Sequence, residues 1–197
     1  LRMVRAYDIL CFQETWLTDL SFNFPSYKQF ISSAVESSHG RPSGGVVTLI
    51  HNKLGLQTSK LLLMDNRNLV CVTYWNSKLK RSLLVNVYIP GDITNGKMVI
   101  QALVDNIRGF LDSIKQYGNY CSLLIAGDFN THLCKNPCPL NLDSSFCTSK
   151  SNYHFEHNHH GSFLNSLLVE FSLVVNQTIA DSEIPSFFGG RYNTSID

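Results

Sequence analysis

Short apolar runs rich in Val, Ile, Leu and Phe alternate along the chain with clusters of turn-forming residues. Apolar runs of about four to eight residues between turn signals are typical of buried β-strands. The weaker alternation over residues 26–33 indicates an outer strand. The pattern predicts strands over residues 8–13, 26–33, 44–51, 69–75, 82–89, 121–127 and 172–176.

Two stretches change from the strand period to the helical period. Within residues 96–117 apolar side chains form one helical stripe, and Gly118 supplies a stop signal. The members of this stripe are Ile100, Leu103, Val104, Ile107, Leu111 and Ile114. A second helix is predicted to start after Gly161 and Ser162. Its buried face would consist of Phe163, Leu164, Leu167, Leu168 and Phe171.

The chain shows neither an internal repeat nor a linker, and its 197 residues are suited to one domain. Residues 131–161 are polar, contain cysteine and histidine and lack a clear period, which indicates a surface insertion. We therefore expect a single domain over residues 1–197. More strands than helices, with the helices interspersed among the strands, are typical of an α/β or α+β layered sandwich.

Charge and cysteine content limit the function classes. Lys and Arg number 16 against 15 Asp and Glu, a formal net charge of +1, so charge does not favour a strongly basic nucleic-acid module. A polyanion would have to be bound by a few specifically positioned side chains or by a metal ion. No apolar run approaches the ~20 residues that span a bilayer, and the first residues lack a signal-peptide layout.

The 6 cysteines are too sparse for a disulfide scaffold of this length. We expect an intracellular protein, nuclear or cytoplasmic and not secreted, with no membrane partner. The glycosylation sequons at Asn176 and Asn193 are then chance matches.

Glu14 directly follows the apolar run of residues 8–13. A carboxylate at the end of a buried strand requires a partner or a cation if it stays in the core. The functional interpretation makes Glu14 a magnesium ligand, since Mg²⁺ binds one or two protein carboxylates together with waters and phosphate. The alternative is an exposed strand-end glutamate, or an N-terminal helix charge with Thr15 and Thr18 as caps.

The strongest local signal is the sequence Gly127-Asp128-Phe129-Asn130 after an apolar strand. If strand geometry persists, Asp128 and Asn130 point the same way at the strand end. Asp128 could then orient or deprotonate a water, and the Asn130 amide could donate to a phosphate oxygen. The alternative is that both residues only form a turn.

Tyr88 closes another apolar strand just before Pro90 and Gly91. Its hydroxyl could donate to a phosphate or a developing oxyanion, or it is an amphipathic residue at the rim. Trp16 and Trp75 are interpreted as core or rim aromatics, although an exposed tryptophan could stack on a base.

The insertion contains possible zinc ligands, but their spacing matches no tight zinc finger, and its prolines and serines favour a loop. These residues are Cys134, Cys138, Cys147, His154 and His157.

Four short motifs in this order resemble the endonuclease/exonuclease/phosphatase family. Within that family, the chain is most similar to the apurinic-type endonuclease domain of non-LTR (LINE-type) retrotransposons. The resemblance covers residues 8–197 apart from 134–161. The motifs are Gln-Glu-Thr-Trp at 13–16, Val-Tyr-Ile-Pro at 87–90, Gly-Asp-Phe-Asn-Thr-His at 127–132, and Ser-Phe-Phe at 186–188 followed by Ser-Ile-Asp at 195–197.

The resemblance implies a four-layer α/β sandwich in which two mixed β-sheets pack face to face with helices outside. It also implies a phosphodiesterase that uses Mg²⁺, with Mn²⁺ as a substitute. Glu14 matches the metal-binding glutamate, and Tyr88 matches the active-site tyrosine.

Asp128 and Asn130 match the pair that handles the attacking water and the phosphate. Asp197 matches the aspartate that orients the catalytic histidine, and Ser186 lies where related domains carry a substrate-binding threonine hydroxyl. We interpret the glycine pair 44–45 as only a turn.

The implied partners are a target DNA duplex and a reverse transcriptase domain in the same polyprotein. The chain begins with Leu1 and ends at Asp197, whereas the family's first strand and its terminal Ser-Asp-His would lie beyond these ends. We therefore expect a piece of a longer protein that has little or no activity as residues 1–197 alone. Two rival interpretations are a phosphatase of the same fold that acts on lipid or nucleotide phosphates, and a catalytically dead nucleic-acid- or protein-binding remnant.

Overall fold

The structure is a computed structural model of the chain. It describes residues 7–19, 23–38, 40–61, 67–75, 81–115, 122–130, 167, 169–171, 173, 187–189 and 192–194. The chain forms two compact units, one of Leu1–Ile89 with Met98–Asp128 and one of Pro90–Lys97 with Phe129–Asp197. The single domain over residues 1–197 stays a prediction.

The smaller sheet of the first unit has three antiparallel strands in the order β1-β3-β2. They are β1 (Ile9–Phe12), β2 (Tyr27–Ser32) and β3 (Val46–His51). A short 3₁₀ turn, Asn52–Leu54, follows β3. The apolar runs therefore predicted these strands correctly, with strand ends one or two residues further in than predicted, except that β3 ends at His51 as predicted.

The larger sheet has four strands in the order β4-β5-β6-β7. They are β4 (Gln57–Leu61), β5 (Leu69–Trp75), β6 (Arg81–Tyr88) and β7 (Ser122–Asp128). Because β6 and β7 run parallel while the other neighbours are antiparallel, the sheet is mixed, as expected. The sequence QTSKL of β4 alternates polar residues with few apolar ones, so it lacks the apolar run by which the other strands were found.

The two sheets pack face to face and form an α/β sandwich, which confirms the predicted fold class, except that the smaller sheet is antiparallel and not mixed. The core between them contains Val46 and Ile50 of β3 together with Val70, Val72 and Leu84 of the larger sheet. Each of these side chains is almost completely buried, and full burial of such a side chain contributes about 1.5–3 kcal/mol. This core fixes the position of the strand ends described below.

The long helix α1, Ile93–Lys115, connects the parallel strands β6 and β7. It begins three residues before the predicted start at 96, because the Asp92 carboxylate accepts a hydrogen bond from the Asn95 N–H at 2.8 Å and acts as an N-cap. Of the predicted stripe, Ile100, Leu103 and Ile107 are buried. Phe110, which the predicted stripe omitted, is also buried.

In the second unit, residues 167, 169 and 170 are helical, and the Phe171 N–H donates to the Leu167 carbonyl oxygen at 3.1 Å. This agrees with part of the second predicted helix. The antiparallel pair β8 (Phe187–Gly189) and β9 (Tyr192–Thr194) was not predicted. The insertion 131–161 lies outside the described residues, and so does the predicted strand 172–176 apart from residue 173.

Among the described residues, no helix has the length and apolar character that crossing a membrane requires.

Candidate functional site

Glu14 and Tyr88 meet through a hydrogen bond although 74 positions separate them in the chain. Tyr88 is the last residue of β6, and its hydroxyl donates to Oε1 of Glu14 at 2.6 Å. This distance is typical of a charge-assisted O–H···O⁻ bond, which is about twice as strong as a neutral one. Both side chains are half-buried, so the carboxylate lies at the rim of the sandwich and not in its core.

Asp128 lies beside Tyr88 at the ends of two neighbouring parallel strands. The register of β6 and β7 pairs Tyr88 with Asp128, and the Ile89 N–H donates to the Asp128 carbonyl oxygen at 2.8 Å. Neighbouring strands lie about 4.8 Å apart. The structure therefore brings Glu14, Tyr88 and Asp128 to the same edge of the sandwich.

Gly127 allows β7 to approach β6 closely just before Asp128. Its φ of 153° is one that side chains rarely adopt, and a Cβ at this position would overlap the carbonyl oxygen of Val87. Only glycine tolerates this approach without a shift of the backbone. The glycine in the Gly-Asp-Phe-Asn sequence thus sets the position of the carboxylate that follows it.

The backbone around Glu14 adopts a conformation that is uncommon for residues with side chains. Glu14 has φ 47° and Trp16 has φ 52°, and each such residue costs about 1–3 kcal/mol. Two main-chain hydrogen bonds hold the segment, from the Thr15 N–H to the Gly45 carbonyl at 3.0 Å and from the Trp16 N–H to the Gly44 carbonyl at 3.1 Å. The backbone that directly follows Glu14 is therefore held in place, which helps to position its carboxylate.

The glycine pair 44–45 does more than form the turn that the sequence predicted. Both residues have positive φ, 78° and 92°. A Cβ on Gly45 would lie 2.6 Å from Oγ1 of Thr15, and one on Gly44 would lie 2.5 Å from Oδ1 of Asn68. The absence of side chains lets the two carbonyl groups reach the segment that carries Glu14.

Sequence reasoning missed a second support, the buried side chain of Asn86 in the middle of β6. Asn86 is 0% exposed, and its Nδ2 donates to the Val47 carbonyl oxygen at 3.0 Å and to Oγ1 of Thr48 at 3.1 Å. Its Oδ1 accepts a hydrogen bond from Nε2 of Gln13 at 2.6 Å. Asn86 therefore ties both sheets together and fixes the residue directly before Glu14. An asparagine inside a long apolar run was the available signal, because a buried amide needs partners.

Asn130 belongs to the second unit, and the structure gives its backbone conformation. It is half-buried with φ 45°, a left-handed conformation that asparagine tolerates better than most residues. This is the backbone of a turn, so extended strand geometry does not continue from Asp128 to Asn130. Ser186 and Asp197 lie outside the described residues, and so do the cysteines and histidines of the insertion.

The donor atoms at this edge suit a hard divalent cation. No group of three or more His, Cys, Asp or Glu side chains forms a cluster within the described part of the chain. Magnesium does not require one, because it is usually bound through one or two carboxylates while retaining waters and binding substrate phosphate. Glu14 makes its hydrogen bond to Tyr88 through Oε1, and Asp128 lies beside Tyr88 at the end of the neighbouring strand β7. The carboxylates present therefore fit magnesium.

The two described cysteines are core residues and not nucleophiles. Burial raises the pKa of the Cys11 thiol to about 11, although a hydrogen bond with Thr48 opposes the rise. Burial also raises the pKa of the Cys71 thiol, to about 12. Both thiols are therefore protonated near neutral pH, where only a thiolate would attack a substrate.

Comparison with known proteins gives one family and one fold. The model of the Endonuclease/Exonuclease/phosphatase family matches residues 1–166. Among solved structures, the chain is similar to the endonuclease domain of TRAS1, a telomere-specific non-LTR retrotransposon, with a TM-score of 0.56 and 18% sequence identity over 98% of this chain and 71% of that one. No curated protein matches the sequence. At this identity the structural likeness shows the fold alone.

Proposed function

The chain belongs to the endonuclease/exonuclease/phosphatase family, and we propose that it is a magnesium-dependent DNA endonuclease domain that nicks target DNA during retrotransposition. The observation that carries the proposal is the meeting of Glu14, Tyr88 and Asp128 at one edge of the sandwich. The similarity to a retrotransposon endonuclease domain supports DNA as the substrate. A reverse transcriptase domain in the same polyprotein is part of this proposal.

In this proposal Glu14 holds the metal ion. Bound magnesium, with Mn²⁺ as a substitute, would supply positive charge to the scissile phosphate and to the leaving oxygen. The hydroxyl of Tyr88 donates to Oε1 of Glu14, which fixes the carboxylate and satisfies one of its oxygens. Glu14 would then hold the cation through its other carboxylate oxygen, Oε2.

Asp128 positions the attacking water and accepts one of its protons. The amide of Asn130 donates to a non-bridging oxygen of the phosphate, where negative charge develops during attack. Ser186 and Asp197 keep the roles that the resemblance implies, a hydroxyl that binds substrate and a carboxylate that orients a histidine.

The direct test is nicking of supercoiled plasmid by the protein expressed from its complete open reading frame. We expect nicking in Mg²⁺, none in EDTA, and a loss of about 10²–10⁴ in rate for Asp128→Asn. Asp112→Asn is the matched control, because Asp112 is an exposed carboxylate on α1. Nicking that persists unchanged in Asp128→Asn, or that needs no divalent cation, would contradict the proposal.

A further inference from the structure

An exposed tryptophan lies immediately beside the proposed metal ligand. Trp16 follows Glu14 by two positions, so their Cα atoms are at most about 7 Å apart. The left-handed backbone at Trp16 turns the chain here, and the indole is 39% exposed. A large aromatic surface that stays in contact with water next to a candidate site is available to bind a ligand.

Arg41 covers this tryptophan. The guanidinium carbon lies 4.1 Å from the centroid of the Trp16 ring, which is a close cation–π contact. Arg41 itself is exposed in the connection between β2 and β3, which leaves its N–H groups accessible to an anion. Contact with the ring restricts the motion of the guanidinium, so less conformational freedom is lost when an anion binds.

The connection that carries Arg41 is fixed to the segment that carries Glu14. Val35 and Ser43 form an antiparallel bridge, with N–H to carbonyl distances of 3.0 Å in both directions, and this bridge closes the base of the Arg41 loop. The carbonyl oxygen of Gly44, one residue further on, accepts the Trp16 N–H. Arg41 therefore has a defined position relative to the candidate site.

The chain offers an internal comparison in a second tryptophan–arginine pair. Arg81 lies 5.8 Å from the centroid of the Trp75 ring, further than the contact at Trp16, and both residues are half-buried. Arg81 begins β6 and Tyr88 ends it, which separates this pair from the candidate site by roughly 23 Å at about 3.3 Å per residue. The first pair is thus distinguished by its exposure, its shorter contact and its proximity to Glu14.

We propose that Trp16 and Arg41 form a binding site for a phosphate of the nucleic-acid strand next to the phosphate that is cleaved. Arg41 donates to that phosphate, and Trp16 orients the guanidinium beneath it. The inference rests on the proposed function and makes it more specific. A group that binds a neighbouring phosphate favours a polynucleotide over a lipid or nucleotide with one phosphate.

The first experiment measures the affinity of the protein for a short DNA duplex as a function of salt, with Ca²⁺ in place of Mg²⁺ to limit turnover. We expect Arg41→Ala to weaken binding about tenfold, as the loss of one charge-assisted hydrogen bond does. The slope of log K against log salt should fall by about 0.9 when one phosphate contact is lost. Arg41→Lys should keep the salt slope and lose part of the affinity, because lysine keeps the charge without the planar fork. Arg81→Ala should match the unchanged protein.

The second experiment uses tryptophan emission from residues 1–197, which contain 2 tryptophans. In Trp75→Phe the emission reports Trp16 alone, and we expect it to change when duplex DNA is added. In Trp16→Phe the emission reports Trp75, and we expect no change. Inorganic phosphate should leave the emission of both variants unaltered at concentrations that match the DNA phosphate.

The outcomes separate the two proposals. If the unchanged protein binds duplex DNA but Arg41→Ala and Arg81→Ala behave alike, the phosphate site at Arg41 is overturned while the endonuclease proposal stands. If inorganic phosphate or a mononucleotide alters Trp16 emission as strongly as DNA does, the preference for a polynucleotide is overturned. If the unchanged protein binds no duplex at all, both proposals fail.

Discussion

Replacement of Asn86 tests whether a buried amide holds the segment that carries Glu14. Asn86→Ala removes the donor to the Val47 carbonyl and to Thr48, and the acceptor of Gln13. Asn86→Leu removes the same hydrogen bonds but keeps most of the side-chain volume, which separates the loss of hydrogen bonds from the loss of packing.

The structure sets the expected magnitude. A buried polar group left without its partner costs about 1–3 kcal/mol, and such losses within one network do not add fully. The Gln13 amide is half-buried and can turn to water, whereas Thr48 is 0% exposed and cannot. We therefore expect each Asn86 variant to lower the free energy of unfolding by about 2–4 kcal/mol. With a urea m-value of about 2 kcal/mol per molar, the midpoint should fall by about 1–2 M.

The assay is urea unfolding followed by far-UV circular dichroism, with Ser82→Ala as the matched control. Ser82 lies in the same strand, is 8% exposed and shares a hydrogen bond of 2.7 Å with Ser122. Its removal should cost about 0.5–1.5 kcal/mol. If Asn86→Leu unfolds at the same urea concentration as Ser82→Ala, the buried amide does not support the site and the reasoning is refuted.

Two further predictions concern backbone packing and thiol chemistry. Gly127→Ala should lower the melting temperature by many degrees or prevent folding, because its Cβ would overlap the Val87 carbonyl. Gly91→Ala is the control and should melt close to the unchanged protein, because its Cβ would meet open space. Equal melting of the two variants would contradict the close approach of β7 to β6. Cys11 and Cys71 should react with iodoacetamide at pH 8 far more slowly in the folded protein than in urea, as measured on peptides by mass spectrometry, because burial raises both pKa values. The pKa values of the two thiols in the folded protein lie above the ordinary value of 9.0, so the contribution of these thiols to stability is present below pH 9 and is lost as the pH rises toward about 11 and 12. A free energy of unfolding that rises over this pH range would contradict the burial of these thiols.

Apolar runs were sufficient to predict most of the sandwich. The run over 69–75 coincides with β5, and the helical stripe placed Leu103 and Ile107 on the buried face of α1. Strand β4 was missed, because an outer strand such as QTSKL is stabilised by its neighbour and not by apolar residues of its own.

The candidate site was only partly predictable. Short motifs singled out Glu14 and Tyr88, but their meeting depends on how β1 and β6 pack, and local sequence does not specify the packing of residues 74 positions apart. The supporting contacts were harder to find. The glycine pair 44–45 has the composition of an ordinary turn, and its hydrogen bonds to Thr15 and Trp16 exist only in the folded sandwich.

The central claim is that Glu14, which the fold brings to the same edge as Tyr88 and Asp128, holds a divalent ion there, and manganese binding tests it most directly. Titration of Mn²⁺ followed by electron paramagnetic resonance should give a site that Mg²⁺ displaces. Loss of a residue that only hydrogen-bonds to a metal ligand weakens metal binding roughly 10–100-fold. Glu14→Gln should weaken the Mn²⁺ site by more than that, and Asp112→Asn should leave it unchanged. Equal Mn²⁺ affinity in Glu14→Gln and in the unchanged protein would contradict the account.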